Sequence, residues 1–221
     1  MRMVSMMQLT CGVAALFVAA SGATAANLVT NGSFEDPVIG FPFHSSLIPT
    51  GWTKSGSAGD ASIWRVGYSD SGGNITVAGE GMQFVTMGGG YLGAGTTTWS
   101  QTLAGLAVGT VYQLDFKIAA EGACCGDQSV VVDFVGSSTG AQTFTAPRPA
   151  ANYWKTWLDQ GMTFVAGASD VTLRFTYTGR YDMGLDNVRV AQVPEPATTV
   201  LWAAGLALLG FVARRSRGAA A

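Results

Sequence analysis

The sequence predicts an all-β fold, a sandwich or barrel of antiparallel strands, and three observations predict it. Runs rich in β-branched and aromatic residues alternate apolar and polar side chains with period two. Glycine-rich turns separate these runs at about the 8–12-residue spacing of a sandwich or barrel. No segment of the central chain keeps apolar residues at i, i+3, i+4 and i+7 through three turns, so helix signals are missing.

In chain order, Met1 to Ala26 reads as a secretory signal. Arg2 gives the positive start, Cys11 to Ala20 is a short uncharged apolar run, and Ala23-Thr24-Ala25 offers the small-x-small pattern that signal peptidase needs. The run is too short to cross ~30 Å of hydrocarbon. A lipoprotein reading of Cys11 fits poorly, because Thr10 and Gln8 are the wrong types for that processing site.

The strands follow. Thr96 to Leu103 is β-branched and alternating. Val111 to Ile118 places Tyr112, Leu114, Phe116 and Ile118 on one face and Gln113, Asp115 and Lys117 on the other. Ser129 to Val135, Trp157 to Val165, Val171 to Tyr177 and Leu185 to Val190 repeat the pattern. The single body domain is bounded at 27–192.

The tail, 193–217, has its own order: Val193-Pro194-Glu195-Pro196, an uncharged apolar run over 197–213, then Arg214-Arg215-Ser216-Arg217. Seventeen apolar residues at ~1.5 Å each just span a bilayer core, so 197–213 is predicted as a transmembrane helix. The arginines behind it place the chain end in the cytoplasm and the body outside. The prolines stop the helix and leave an accessible segment for a processing enzyme. A plain single-pass anchor is the simpler alternative. This order resembles the PEP-CTERM sorting tail of Gram-negative bacteria. The resemblance implies an exosortase as partner, cutting near Pro194, Glu195 and Pro196, with Arg214, Arg215 and Arg217 completing the signal. It also implies an exported protein, passing through an inner-membrane intermediate to the surface of an exopolysaccharide-producing cell.

Composition excludes several classes. The 221 residues are 48% hydrophobic and 12% charged, about half the usual ~25% charge, so a disordered polyelectrolyte is out. Thirty glycines without a repeating register exclude collagen. The formal net charge of −2, with no basic run inside the body, leaves no footprint for nucleic acid. Without its two ends the body holds eight basic and thirteen acidic residues.

A second resemblance spans the body. Asn27-Leu28-Val29-Thr30-Asn31-Gly32-Ser33-Phe34-Glu35 opens it and Pro49-Thr50-Gly51-Trp52 follows. Gly109 to Phe116 lies mid-chain, and Gly184-Leu185-Asp186-Asn187-Val188-Arg189-Val190 closes it. That order is similar to galactose-binding-like jelly rolls, including carbohydrate-binding modules. The resemblance implies adjacent first and last strands, glycan or exopolysaccharide as partner, and a structural Ca²⁺ with Glu35 and Asp186 as carboxylate ligands beside backbone carbonyls. The alternative for those two acids is capping of turns or bonding of backbone amides.

Catalysis is not expected. His44 is the single histidine and no GxSxG elbow accompanies it. One histidine cannot supply the usual zinc triads. Gly88-Gly89-Gly90 lacks the lysine of a phosphate loop. Glycosidase chemistry needs only two carboxylates, yet the acids are scattered on turns. Cys124-Cys125 is adjacent and without a third body cysteine, which leaves a vicinal disulfide, an intermolecular bridge or free thiols.

Aromatic residues are the candidate recognition elements, since sugar C–H faces stack on rings while hydroxyls want planar polar partners. Trp52 and Trp157 read as core. Trp64, Arg65 and Tyr68, then Tyr91, and finally Arg180 and Tyr181 lie beside turns and are the candidate ligand-binding residues. The expected function is an exported, glycan-associated binding module; the alternative is a structural or adhesion matrix protein without a defined small ligand.

Overall fold

The computed structural model describes residues 26–57, 61–70, 73–88, 93–122, 126–148, 150, 153–194 and 205–209. The predicted signal up to residue 25, Tyr91, Cys124, Cys125, Glu195, Pro196, Arg214, Arg215, Arg217 and most of 197–213 lie outside them. No helix among the described residues is long and apolar enough to cross a membrane.

Thirteen antiparallel strands are present among the described residues: β1 (His44–Ser45), β2 (Thr53–Gly56), β3 (Ile63–Arg65), β4 (Ser69–Asp70), β5 (Gly73–Asn74), β6 (Gln83–Met87), β7 (Gly95–Leu103), β8 (Val111–Ala120), β9 (Gln128–Val135), β10 (Gln142–Ala146), β11 (Leu158–Val165), β12 (Val171–Gly179) and β13 (Met183–Gln192). A six-stranded sheet runs β1-β3-β6-β13-β8-β11, a five-stranded sheet runs β10-β9-β12-β7-β2, and β4-β5 form a small hairpin. This is a jelly-roll sandwich. All six runs that alternate in the sequence are strands, because each turns one face into the core.

The core lies between the sheets. β8 contributes Tyr112, Leu114, Phe116 and Ile118, and β12 contributes Val171, Leu173, Phe175 and Tyr177, all buried. Phe116 meets Phe175 edge to face at 5.1 Å, and Phe134 stacks on Phe164 at 3.8 Å. Burying each such ring stabilises the fold by roughly 1.5–3 kcal/mol. The two core tryptophans satisfy their N–H groups on backbone carbonyls: Trp99 donates to Thr86 O at 2.9 Å and Trp52 to Asn31 O at 3.1 Å.

The outward face of the five-stranded sheet carries short hydroxyl side chains. Thr96 pairs with Thr178, Thr98 with Thr176 and Thr102 with Thr172 across β7 and β12, at 2.9, 3.0 and 3.1 Å. In their midst Arg174 makes a bidentate pair with Asp133.

The chain start lies along the last strand, as the resemblance implies. Leu28 N donates to Val190 O at 2.8 Å, Val190 N to Asn27 Oδ1 at 3.0 Å, and Val188 N to Gly32 O at 2.8 Å. Within β13 the register shifts between Asp186 and Arg189, with Asn187 left-handed at φ 51°, a conformation Asn tolerates better than most residues. The ten residues of β13, at ~3.3 Å each, separate the two ends of the sandwich by about 30 Å.

Candidate functional site

The outward face of the six-stranded sheet carries a second apolar layer, distinct from the core: Ile75, Ala78, Phe84, Ala119, Tyr153 and Trp154, with Trp64, Val66, Tyr68 and Trp157 packed against them. Its floor is small. Gly184 pairs with Ala119 on one side and Thr86 on the other, leaving room for rings above. Phe84 meets Trp154 at 5.2 Å and Trp157 at 5.1 Å, both edge to face. Trp64 contacts Trp154 at 5.4 Å and Tyr68 at 4.7 Å. His44, exposed on β1, stacks on Trp64 at 5.1 Å because the two residues face each other across the strand pair. Each such ring contact adds about 0.5–1.5 kcal/mol beyond its area.

Backbone geometry holds the layer in place. Tyr153 and Trp154 are consecutive left-handed residues, φ 65° and 50°, an arrangement costing of order 1–3 kcal/mol per residue. The turn is fixed by Tyr153 N donating to Glu121 O at 2.6 Å and Trp154 Nε1 to Asp182 O at 3.2 Å. The indole N–H groups of Trp64 and Trp157 are buried and find no acceptor among the described residues.

The sequence-predicted residues separate here. Trp64 and Tyr68 are half-buried members of the layer. Arg65 is turned away from it, its Nη1 donating to the Ile39 carbonyl, so it fastens the preceding loop. Arg180 lies 5.6 Å over the ring of its neighbour Tyr181, at the same end of the sandwich as Trp154. Trp52 is core as expected. Trp157, expected in the core, instead lies half-buried in the outer layer, because β11 begins one residue later and leaves it on the approach. His44, Tyr153 and Trp154 were not singled out for binding; the Tyr153-Trp154-Lys155-Thr156-Trp157 run was the signal available.

The acidic pair is anchored next to this layer. Glu35 Oε1 accepts Met82 N at 2.6 Å and Gln83 N at 2.7 Å. Asp186, fully buried, accepts Glu80 N on Oδ2 at 2.8 Å and Asn187 N on Oδ1 at 2.6 Å. Both acids thus bond backbone amides, the alternative reading of their role. Burial pushes the Asp186 carboxyl up to about 8 against the pull of its two amide bonds, and the charges of Glu35 and Glu80 add to the rise. Glu80 is paired with Arg189 at 2.5 Å.

The donors fit a hard cation in kind, being carboxylate oxygens. Among the described residues no three His, Cys, Asp or Glu side chains are grouped to hold an ion by themselves. An ion at Glu35 and Asp186 would therefore draw the rest of its shell from backbone carbonyls.

At the end of the sandwich near Trp154, Tyr177 is held neutral to high pH. Burial, then the charges of Asp182 and Glu121, push its phenol up to about 12.

Comparison with known proteins places the two parts of the chain differently. Residues 192–217 match the PEP-CTERM protein-sorting motif. No curated protein matches the chain. Among solved structures, TmCBM61 in complex with β-1,4-galactotriose is 14% identical, with a TM-score of 0.51 over 76% of this chain and 100% of that one. The CBM22-1 xylan-binding domain of Paenibacillus barcinonensis Xyn10C is 13% identical, TM-score 0.45, over 78% and 97%. The K1 cleaved adhesin domain of Lys-gingipain from Porphyromonas gingivalis W83 is 21% identical, TM-score 0.44, over 66% and 94%. The likeness to TmCBM61 shows a shared fold.

Proposed function

We propose that this chain, a jelly-roll body carrying a PEP-CTERM sorting motif, is an exported, non-catalytic glycan-binding protein. The observation that carries the reading is the layer of rings outside the core, over Phe84 and Gly184, with His44 exposed at its rim. A sandwich needs aromatic rings between its sheets; a second set on one outward face provides stacking surfaces for pyranose rings. Trp64 and Tyr68 are the central contacts, and Arg180 and Tyr181 flank them, with Tyr91 a further candidate. The sorting motif supports delivery outside the cell, with signal peptidase and exosortase acting on the two ends and 197–213 anchoring the intermediate.

Two further assignments belong to this reading. A structural Ca²⁺ is held at Glu35 and Asp186, where loop 79–83 meets the last strand. Cys124 and Cys125 form a vicinal disulfide shaping their loop.

The test is a glycan array probed with the full chain. Binding to one glycan class, lost in Tyr68→Ala and His44→Ala with an unchanged circular dichroism spectrum, is the expected result. An inert array combined with calcium-dependent self-association would instead establish a structural matrix protein.

A further inference from the structure

We infer that the end of the sandwich opposite Trp154 is a lipid-facing base. Before the tail is processed, this base seats on the bilayer leaflet that receives the tail and turns the Trp154 end outward. The inference rests on the reading of 197–213 as a membrane anchor.

Four segments form this end. The start at Leu28, the turn 104–110, the turn 166–170 and the exit at Val193 are tied together by backbone bonds. Leu106 N donates to Ser169 O at 2.9 Å, Gly109 N to Ala166 O at 2.8 Å, and Val193 N to Val111 O at 3.0 Å. Gly167 N donates to Gly136 O at 2.9 Å, which adds the turn 136–141.

Across all of these segments Asp170 is the single charged residue. Three large apolar side chains nevertheless face solvent here: Val108 is 66% exposed, Val111 41% and Val135 51%. A shallow depression beside them is lined by Ala26, Leu28, Gly105, Tyr112 and Gln192. The opposite end carries Glu121, Asp127, Arg148, Lys155, Arg180 and Asp182.

Two arguments select a lipid surface as the occupant. The first is reach. Val193 is bonded into the sheet, and three residues separate it from the apolar run that begins at Ala197. At no more than ~3.6 Å per residue, the base stays within about 15 Å of the inserted segment. The second is charge. The body carries thirteen acids against eight basic residues, so an anionic leaflet repels it as a whole across a Debye length of ~10 Å. This end, with Asp170 as the single charge across its segments, presents the fewest charges to the headgroups, and its exposed valines gain from the interface.

The experiment uses the full chain in vesicles of phosphatidylethanolamine and phosphatidylglycerol. Cys11, Cys124 and Cys125 are changed to Ser, and an environment-sensitive dye is attached in V108C, V111C or A150C, the last at the far end. Blue-shifted emission and loss of iodide quenching at 108 and 111, but not at 150, is expected. Equal quenching at all three positions in chains that survive an alkaline carbonate wash overturns the base while leaving the anchor standing. Chains released by the wash overturn the anchor reading and this inference with it.

Discussion

Gly184 lies directly beneath the Trp157 indole: a Cβ at 184 would meet Trp157 Cη2 at 2.9 Å and Trp154 Cδ1 at 3.0 Å. The absent side chain is what lets two large rings approach the sheet surface so closely. Gly184→Ala should lift both indoles and cost about 1–3 kcal/mol. The near-ultraviolet circular dichroism of the tryptophans should change while the far-ultraviolet spectrum does not.

The Tyr177 phenol gives a pH signature. Its folded value, about 12, lies above the ordinary 10.0, so the unfolded chain ionises first as pH rises. The stabilisation is complete below pH 10 and is lost as pH climbs through about 12, amounting to roughly 2–3 kcal/mol. Denaturant midpoints between pH 9 and 12 should fall steeply in the parent and less so in Tyr177→Phe.

Calcium should raise Tm and EDTA should lower it, with both effects absent in Glu35→Gln. Glu35 approaches Gly81, itself left-handed at φ 63°, so the variant keeps an amide oxygen for the loop while removing the charge a cation needs. Calorimetry with and without the ion measures this. An unchanged Tm in the parent removes the ion from the account.

Ring packing and surface charge should separate cleanly in magnitude. Phe175→Ala opens a cavity between the sheets, where Phe175 meets Phe116 and Trp52, and should cost about 3–5 kcal/mol. Asp133→Ala breaks the partly exposed pair with Arg174 and should cost no more than ~1 kcal/mol. Urea denaturation of the two variants compares them directly.

These contrasts also explain what could be read in advance. β8 and β12 were legible because one face of each is dry and the other wet, so the side chains alternate. β6 was not, since all five of its residues are buried, with the aromatic layer covering its outer face. Strands of two or three residues, such as β1 and β3, contain no full period. The stack of His44 on Trp64 follows from pairing β1 with β3, a contact across the fold that neither residue's neighbours announce. Trp64 and Tyr68 were legible as rings beside turns. Their packing against Trp154 and Tyr153 depends on those two left-handed residues, which local pattern does not encode.

Because Leu28 bonds to Val190 and Val193 to Val111, the polypeptide enters and leaves the body almost at one point. A few flexible residues could close it into a ring, and reopening that ring at the bare surface of Gly140, where added atoms meet nothing within 4 Å, would reorder the gene without rearranging the molecule. The same neighbourhood of ends makes the body a cassette: it can be spliced into a loop of another protein with little distortion of its host.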